Sequence, residues 1–467
     1  MVFSSPIFAV FLLIAFIGYW SLQRVGLMWQ NVFILIASYI FYGWWDWRFL
    51  SLIAFSTIVD FIAAKRIGSS ENASICKNWL WLSLGVNLGM LGLFKYFNFF
   101  ITEFQSLMNE IGIHSDPWTL SVILPVGISF YTFQTLSYTL DVYKGKMKPS
   151  ESLLEFAAYV SFFPQLVAGP IERAAHLLPQ FAKRRMFDFN LAKAGIRLIV
   201  WGLFKKIVIA DSLAPIVNEI FNGYEDASGA TLMVGAVLFA FQIYGDFSGY
   251  SDIAIGTARL LGFDLMSNFK FPYFSRNIGE FWRRWHISLS TWFRDYIYIP
   301  LGGSRGSKVK QIRNIFIIFL VSGFWHGANW TFIAWGALHA LLFLSLFLLG
   351  SNRKHLPNSD NEGYGFRDWI SVVITFCFVC IGWIFFRAES IAHATHYIAS
   401  LFNSGDVEFA IYLLFPFVLV LLEWQLRHDE RLEKLKLGRF ELPLLGLFMA
   451  LVFIFRDNAT EFIYFQF

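Results

Sequence analysis

The chain has 467 residues, of which 57% are hydrophobic, 19% aromatic and only 15% charged. A soluble domain carries about 25% charged residues, so a soluble fold would have no place for this much apolar surface. The net charge of +4 is spread over short clusters between apolar runs, and no long basic tract indicates nucleic-acid binding. Composition therefore predicts an all-α polytopic membrane protein in a lipid bilayer and excludes a soluble globular enzyme.

Apolar runs close to the length of a membrane span, about 20 residues, recur along the chain. They cover Val2–Leu22, Trp29–Trp44, Phe49–Ala64, Trp79–Phe100, Ile123–Leu140, Leu191–Ala210, Thr231–Leu261, Ile312–Phe324, Trp330–Leu349, Trp369–Phe386, Ala410–Leu426 and Leu442–Phe455. The first run has no basic region before it and no cleavage site after it, which predicts a retained helix rather than a signal peptide. Several runs are short or interrupted, so we expect about ten to twelve spans together with re-entrant or in-plane helices.

The pattern continues without a soluble domain or an internal repeat, which predicts one membrane domain over residues 1–467. The polar motifs fall in a core of about residues 85–350, and residues 368–467 add C-terminal helices. Cys377 and Cys380 form a C-x-x-C inside an apolar run, where two small fillers on one helix face are favoured over a redox motif.

Three stretches are chemically unsuited to lipid. Leu124–Gln134 and Phe163–Arg173 combine prolines, glycines and polar side chains, which favours non-helical backbone. Such backbone is tolerated at membrane depth only where it is buried in protein or lines a cavity. Tyr244–Asp252 places two carboxylates, two serines and two tyrosines inside an apolar run. We expect all three to face the protein interior, with Gln134 and Tyr250 among the residues that line a tunnel.

Asp246 and Asp252 lie in the third stretch, and lipid cannot solvate either carboxylate. The favoured interpretation is structural, with both carboxylates paired to arginine and hydroxyl groups so that helices are locked together. The alternatives are coupling to a cation or positioning of a substrate, and we keep Asp246 as a candidate tunnel residue.

Asn277–Pro300 has the pattern of an amphipathic helix that lies along an interface or slots into the bundle. At helical spacing, four aromatic residues share one face: Phe281, Trp285, Trp292 and Tyr296. Glu280 and Arg284 form an i, i+4 pair. His286 follows directly after Arg284 and Trp285, and its role is open between an ordinary interfacial histidine and a functional one.

His326 lies between two apolar runs that read as membrane-embedded, where an ionisable side chain costs free energy. An ionisable side chain at such a place is a functional-site hypothesis. We expect Gly323 and Gly327 to leave room for a ligand beside the imidazole, which in its neutral form can take a proton from a hydroxyl. The alternative is a buried histidine tied to backbone groups. A metal site shared with His286 is not favoured, because no cysteine or carboxylate stands at ligand spacing.

Six stretches together resemble the membrane-bound O-acyltransferase (MBOAT) superfamily, and within it the bacterial alginate O-acetyltransferase branch. They are Leu124–Phe133, Phe163–Arg173, Tyr244–Asp252, Phe281–Trp292, Tyr296–Gly303 and Ser322–Trp330. No single stretch is specific, but the set follows the family's order from the N-terminal helices to about Gly350.

The resemblance implies an MBOAT-like helical bundle of about eleven spans around a central tunnel, in a bacterial inner (cytoplasmic) membrane. It implies that His326 is the family's essential histidine and His286 its second, less uniformly required one. Trp325, Trp285, Arg284 and Asn329 would then lie near the reacting groups, with Asn329 our one suggestion for an oxyanion donor.

The implied reaction is transfer of an acyl group, most simply acetyl, from a cytoplasmic thioester to a hydroxyl outside the cytoplasm. The donor would be acetyl-CoA or an acyl carrier, used as a co-substrate rather than a bound cofactor. The acceptor would be a polysaccharide or a partner O-acetyltransferase. Relatives acetylate alginate, cellulose or peptidoglycan, or move D-alanine to teichoic acid, so the acceptor stays open. A polar-solute transporter and a non-catalytic scaffold for a polysaccharide synthase are the rival classes.

Overall fold

A computed structural model describes residues 1–113, 119–120, 124–167, 169–355, 363–432, 438–456, 460 and 462–463. Over these residues the chain forms α-helices joined by short 3₁₀ and π-helical turns and by loops, without a β-strand. The predicted all-α class is therefore confirmed. The chain divides into two compact units, Met1–Ile196 with Ala254–Met266 and Arg197–Ile253 with Ser267–Phe467. The prediction of one domain stays a prediction.

The first unit consists of the N-terminal helices. They are α1 (Pro6–Ser21), α2 (Leu27–Asp46), α3 (Leu50–Ser69), α4 (Ala73–Leu91), α5 (Phe97–Glu110), α6 (Ile128–Tyr143), α7 (Leu153–Val160), α8 (Phe163–Leu166) and α9 (Ala174–Phe181). Local sequence sets several of the helix starts. Ser5 accepts a hydrogen bond from Phe8 N before the proline at the start of α1, and the Asn72 side chain accepts from Ser74 N at the start of α4.

The second unit holds the later helices, and two helices, α10 and α12, have residues in both units. The set is α10 (Phe189–Leu203), α11 (Ser212–Asn222), α12 (Gly229–Leu260), α13 (Ile278–Arg284), α14 (Ile287–Phe293), α15 (Lys308–His326), α16 (Trp330–Leu348), α17 (Phe366–Arg387), α18 (Ile391–Ser400), α19 (Leu414–Leu426) and α20 (Glu441–Phe455). A π-helical turn, Phe204–Asp211, joins α10 to α11.

Six helical segments among the described residues are long and apolar enough to cross a membrane, and three shorter apolar helices accompany them. The six are Pro6–Arg24, Leu27–Ser69, Ala73–Glu110, Gly229–Leu260, Trp330–Leu348 and Phe366–Arg387. Large apolar side chains such as Ile14 and Phe453 stay more than 60% exposed, as side chains in contact with lipid would be. The protein is thus an integral membrane protein, while the number of about eleven spans stays a prediction.

A buried polar network joins α3, α4 and α6 in the first unit. The Asp60 carboxylate accepts hydrogen bonds from Ser83 Oγ at 2.5 Å and from Asn87 Nδ2 at 2.9 and 3.0 Å. Asn87 Oδ1 in turn accepts from Ser56 Oγ at 2.8 Å and from Thr135 Oγ1 at 3.2 Å. All five side chains are at most 2% exposed, so each depends on its partners for hydrogen bonding.

Replacing Asn87 with leucine should destabilise the protein by about 1–3 kcal/mol, because the buried Asp60 carboxylate loses the amide that donates to both of its oxygens. The midpoint of thermal unfolding in detergent measures this. The control is Ser51→Ala. The exposed Ser51 hydroxyl donates to Arg48 O, and its loss should change the free energy of unfolding by less than about 0.5 kcal/mol. Equal midpoints for the two variants would contradict the role of the network.

The predicted helix over Asn277–Pro300 is interrupted, and this expectation is corrected. The chain forms the two short helices α13 and α14 and a π-helical turn, Arg294–Tyr298, with a break at Trp285 and His286. His286 takes a left-handed conformation there, with φ of 44°. The expected pair is present, since Arg284 Nη2 lies 2.7 Å from Glu280 Oε1. Phe281 and Trp285 are each 1% exposed, so this segment slots into the protein rather than lying on its surface.

The three polar stretches are buried as expected, but they differ in backbone. In Leu124–Gln134 the helix α6 starts only at Ile128, after Gly127 with φ of 77°. Phe163–Arg173 contains the single turn α8 followed by a non-helical segment, in which residue 168 lies outside the described residues. Tyr244–Asp252 is helical throughout, as part of α12.

Candidate active site

His326 ends α15 and lies in an aromatic cage with only 4% of its surface exposed. Its ring centroid lies 5.0 Å from that of Trp325, 5.1 Å from that of Trp335 and 5.3 Å from that of Phe386. The last two rings come from α16 and α17, so three helices of the second unit build the cage. The predicted burial of this histidine is confirmed, and its surroundings are apolar.

His286 is the second imidazole of the site. It is fully buried, and its ring centroid lies 6.4 Å from that of His326 and 6.1 Å from that of Trp325. Phe247 of α12 packs edge-on against it at 4.7 Å. Burial lowers the pKa of His286 to about 3, so this imidazole is neutral at physiological pH. The two histidines that the sequence placed 40 positions apart therefore meet in one site.

The two glycines beside His326 do not leave room for a ligand, and this expectation is wrong. A Cβ atom on Gly323 would lie 2.2 Å from Phe332 O, and one on Gly327 would lie 2.1 Å from the Phe332 ring. Gly336 has the same function on α16, since a Cβ atom there would lie 2.4 Å from Phe319 O. The missing side chains bring α15 and α16 into backbone contact, which fixes His326 against Trp335.

Replacing Gly323 with alanine should lower the rate of acyl transfer by about 100-fold, because separating α15 from α16 by about 1 Å misplaces the imidazole. The rate per molecule of protein in the membrane is the measurement. Gly446→Ala is the matched control, because Gly446 lies within α20 and a Cβ atom there would meet nothing within 4 Å. A Gly323→Ala variant as active as the control would contradict this account of the packing.

Trp285 is a buried ring of the layer that supports the site. Its ring is 1% exposed and packs at 5.0 Å from Phe269, 5.6 Å from Phe281 and 4.8 Å from Trp383. Trp335 is stacked at 6.0 Å from Trp383, so an aromatic layer connects the break at His286 with the cage around His326. The sequence named Trp285 and Trp325 but missed the cage residues from α16 and α17, which look like ordinary core positions in an apolar run.

Asp246 belongs to a buried ion cluster rather than to the histidine site. Lys206 Nζ lies 2.8 Å from Asp246 Oδ1 and 2.6 Å from Asp211 Oδ1, with at most 4% of these three side chains exposed. Asp252 pairs with Lys205 at 2.7 Å. The favoured structural interpretation of the two carboxylates is supported, since each of them pairs with a buried lysine.

Residues 460 and 462–463 are held by the same cluster. Lys206 Nζ donates to Thr460 O at 3.2 Å, and Asp246 Oδ2 accepts from Ile463 N at 2.7 Å. Phe462 is fully buried, with its ring 4.3 Å from that of Tyr250 and 5.9 Å from that of Phe247, the residue that packs on His286. Tyr250 is thus connected to His286 only indirectly, through the rings of Phe462 and Phe247.

The remaining candidates have structural contacts. Arg284 and Arg276 both pair with the buried Glu280 carboxylate. Asn329 caps α16 by accepting from Thr331 N at 3.0 Å, and its amide donates to Glu389 O at 3.1 Å. Gln134 belongs to the first unit, where its amide donates to Tyr159 O at 2.8 Å. Their contribution to a tunnel stays a prediction.

The sequence is similar to a family of membrane enzymes and to several named proteins. The model of the membrane-bound O-acyltransferase family, MBOAT, matches residues 148–392. A protein named probable alginate O-acetylase from Pseudomonas putida is 40% identical over 87% of this chain and 81% of its own length. A peptidoglycan O-acetyltransferase from Helicobacter pylori is 35% identical over 84% and 78%, and a teichoic acid D-alanyltransferase from Bacillus subtilis is 29% identical over 63% and 76%.

Proposed function

Because the chain belongs to the membrane-bound O-acyltransferase family and is an O-acyltransferase, we propose that it moves an acetyl group from a cytoplasmic thioester to a polysaccharide hydroxyl outside the cytoplasm. The donor is acetyl-CoA, and the acceptor is an alginate-like exopolysaccharide, reached directly or through a partner O-acetyltransferase. The observation that carries this proposal is the pair of buried imidazoles, His286 and His326, with ring centroids 6.4 Å apart.

His326 acts as the general base in this proposal. It takes the proton of the acceptor hydroxyl as the oxygen attacks the thioester carbonyl, so that a C–O bond forms and the C–S bond breaks. The proton then passes from the imidazole to the departing thiolate. A general base of this kind contributes about 10²–10⁴-fold to the rate. His286 positions the acceptor.

The aromatic surroundings support the same chemistry. Water competes with a hydroxyl for a thioester, and a cage built from Trp325, Trp335 and Phe386 excludes it from the imidazole. The rival class of transporter loses its best evidence, since Asp246 and Asp252 are each paired with a buried lysine.

The acceptor is proposed from the similarity to the alginate O-acetylase, with peptidoglycan acetylation and teichoic-acid acylation as the alternatives on the same fold. The test compares ester-linked acetate on the exopolysaccharide and on peptidoglycan in cells with and without this chain. We expect loss from the exopolysaccharide alone, restored by the wild-type chain. Loss of ester confined to peptidoglycan would show that peptidoglycan, and not the exopolysaccharide, is the acceptor. Unchanged ester on every envelope polymer would contradict the proposed function.

A further inference from the structure

We propose that Asn268 is a positioning residue that holds the His286 imidazole in the tautomer with its proton on Nδ1, so that Nε2 presents a lone pair to the acceptor. This inference rests on the proposed function, because it concerns how the second histidine of that site works. Asn268 stands between α12 and α13.

The orientation of the Asn268 side chain follows from its partners. Its Oδ1 lies 3.3 Å from Ser288 N, and a backbone N–H can only donate, so the atom that faces it must be the carbonyl oxygen. Ser288 Oγ donates to the same oxygen at 2.9 Å, and Asn268 Nδ2 donates to Ser251 Oγ at 3.2 Å. Asn268 is 1% exposed, so no solvent exchange competes with these bonds.

The tautomer of His286 follows from this orientation. His286 Nδ1 lies 3.0 Å from Asn268 Oδ1, which can only accept, so Nδ1 carries the proton. In a neutral imidazole the other nitrogen then holds the lone pair. Within the described residues, the buried Nε2 atom has no hydrogen-bond partner. It is therefore the acceptor nitrogen that the site offers to a substrate.

The backbone around His286 is held by the same asparagine. Ile287 N donates to Asn268 O at 2.8 Å, so Asn268 binds the chain after His286 through both its main chain and its side chain. Lys270 N donates to Arg284 O at 2.9 Å on the other side of the break. His286 has φ of 44° and ψ of 54°, a conformation that costs a non-glycine residue energy and is kept only when neighbours impose it.

Within the described part of the chain, the rings that lie around His286 include Phe247, Phe269, Trp325 and His326. Only His326 among them titrates, so no charged side chain from these neighbours competes for the Nε2 lone pair. In the acyl-accepting substrate, the group that binds to Nε2 is a hydrogen-bond donor next to the reacting oxygen. In a sugar it is a neighbouring hydroxyl, and in a serine of a partner protein it is an amide N–H.

Asn268→Asp tests the proposal, because a carboxylate accepts the same hydrogen bonds but stabilises the protonated imidazole. The rate of labelled acetyl transfer from acetyl-CoA to polymer in membrane vesicles should approach wild type at pH 8.5. Between pH 8.5 and pH 5.5 the rate of the variant should decrease by a factor about ten times larger than the decrease in the wild type, because protonation removes the Nε2 lone pair. Ser251→Ala is the control, because it removes the partner of the Asn268 amide nitrogen and leaves the bonds of its carbonyl oxygen in place. This variant should keep the wild-type pH profile.

A pH profile of Asn268→Asp parallel to wild type would overturn the proposal, as would an equal loss at every pH in both Asn268→Asp and Asn268→Ala. Solid-state nitrogen NMR of the wild-type protein with labelled histidine does not depend on whether Asn268→Asp folds, and the signal that is missing from His286→Gln assigns His286. It should show a neutral ring protonated at Nδ1, and the opposite tautomer would overturn the proposal. Activity of His326→Ala would instead contradict the proposed function itself.

Discussion

Replacing His326 with alanine should abolish acyl transfer while the protein still folds and reaches the membrane. The loss should be about 10²–10⁴-fold, because the substitution removes the base that takes the hydroxyl proton. The substitution also removes a ring that packs on Trp335 and Phe386, so protein level and unfolding midpoint are measured beside the rate of ester formation.

His396→Ala provides the matched control for this change. It is the same substitution on α18 of the same unit, at an exposed side chain, and it should leave the rate unchanged. A His326→Ala variant that esterifies its polymer as fast as the control would rule out His326 as the base.

Replacing Lys206 with methionine should destabilise the protein by about 3–5 kcal/mol, because two carboxylates stay buried without their cation. Solvent cannot stabilise the carboxylates of Asp211 and Asp246 after the cation is lost, because both side chains are at most 4% exposed. The midpoint of thermal unfolding in detergent and the yield of membrane-inserted protein measure the effect.

Arg294→Met is the control for the loss of a cation. Arg294 pairs with Asp295 at 2.7 Å, but its side chain is 57% exposed, so its loss should cost less than about 1 kcal/mol. Neutralising Asp211 and Asp246 to asparagine in the Lys206→Met background should recover part of the lost stability. If Lys206→Met unfolds at the temperature of Arg294→Met, the cluster does not stabilise the second unit.

The helices were predictable because lipid leaves the backbone no partner except itself. The run Trp330–Leu349 became α16 with a difference of one residue, and Trp369–Phe386 lies within α17. Asp246 could also be placed in the interior, because hydrocarbon does not solvate a carboxylate.

The fine geometry of the site was not predictable in this way. The hydrogen bonds that Asn268 accepts join positions 18 and 20 residues apart, at the point where the helical pattern through His286 is broken. Gly323 looked like space for a ligand, yet its missing side chain is used by the backbone of α16. Both features depend on which segments become neighbours, and periodicity carries no information about that.

The most direct test of the central claim follows a labelled acetyl group from acetyl-CoA to an envelope polymer in membrane vesicles. We predict label in ester linkage when the vesicles hold the wild-type chain and no label above background when they hold His326→Ala at the same level. Equal labelling of the polymer by the two vesicle preparations would contradict the assignment of acyl transfer to this imidazole.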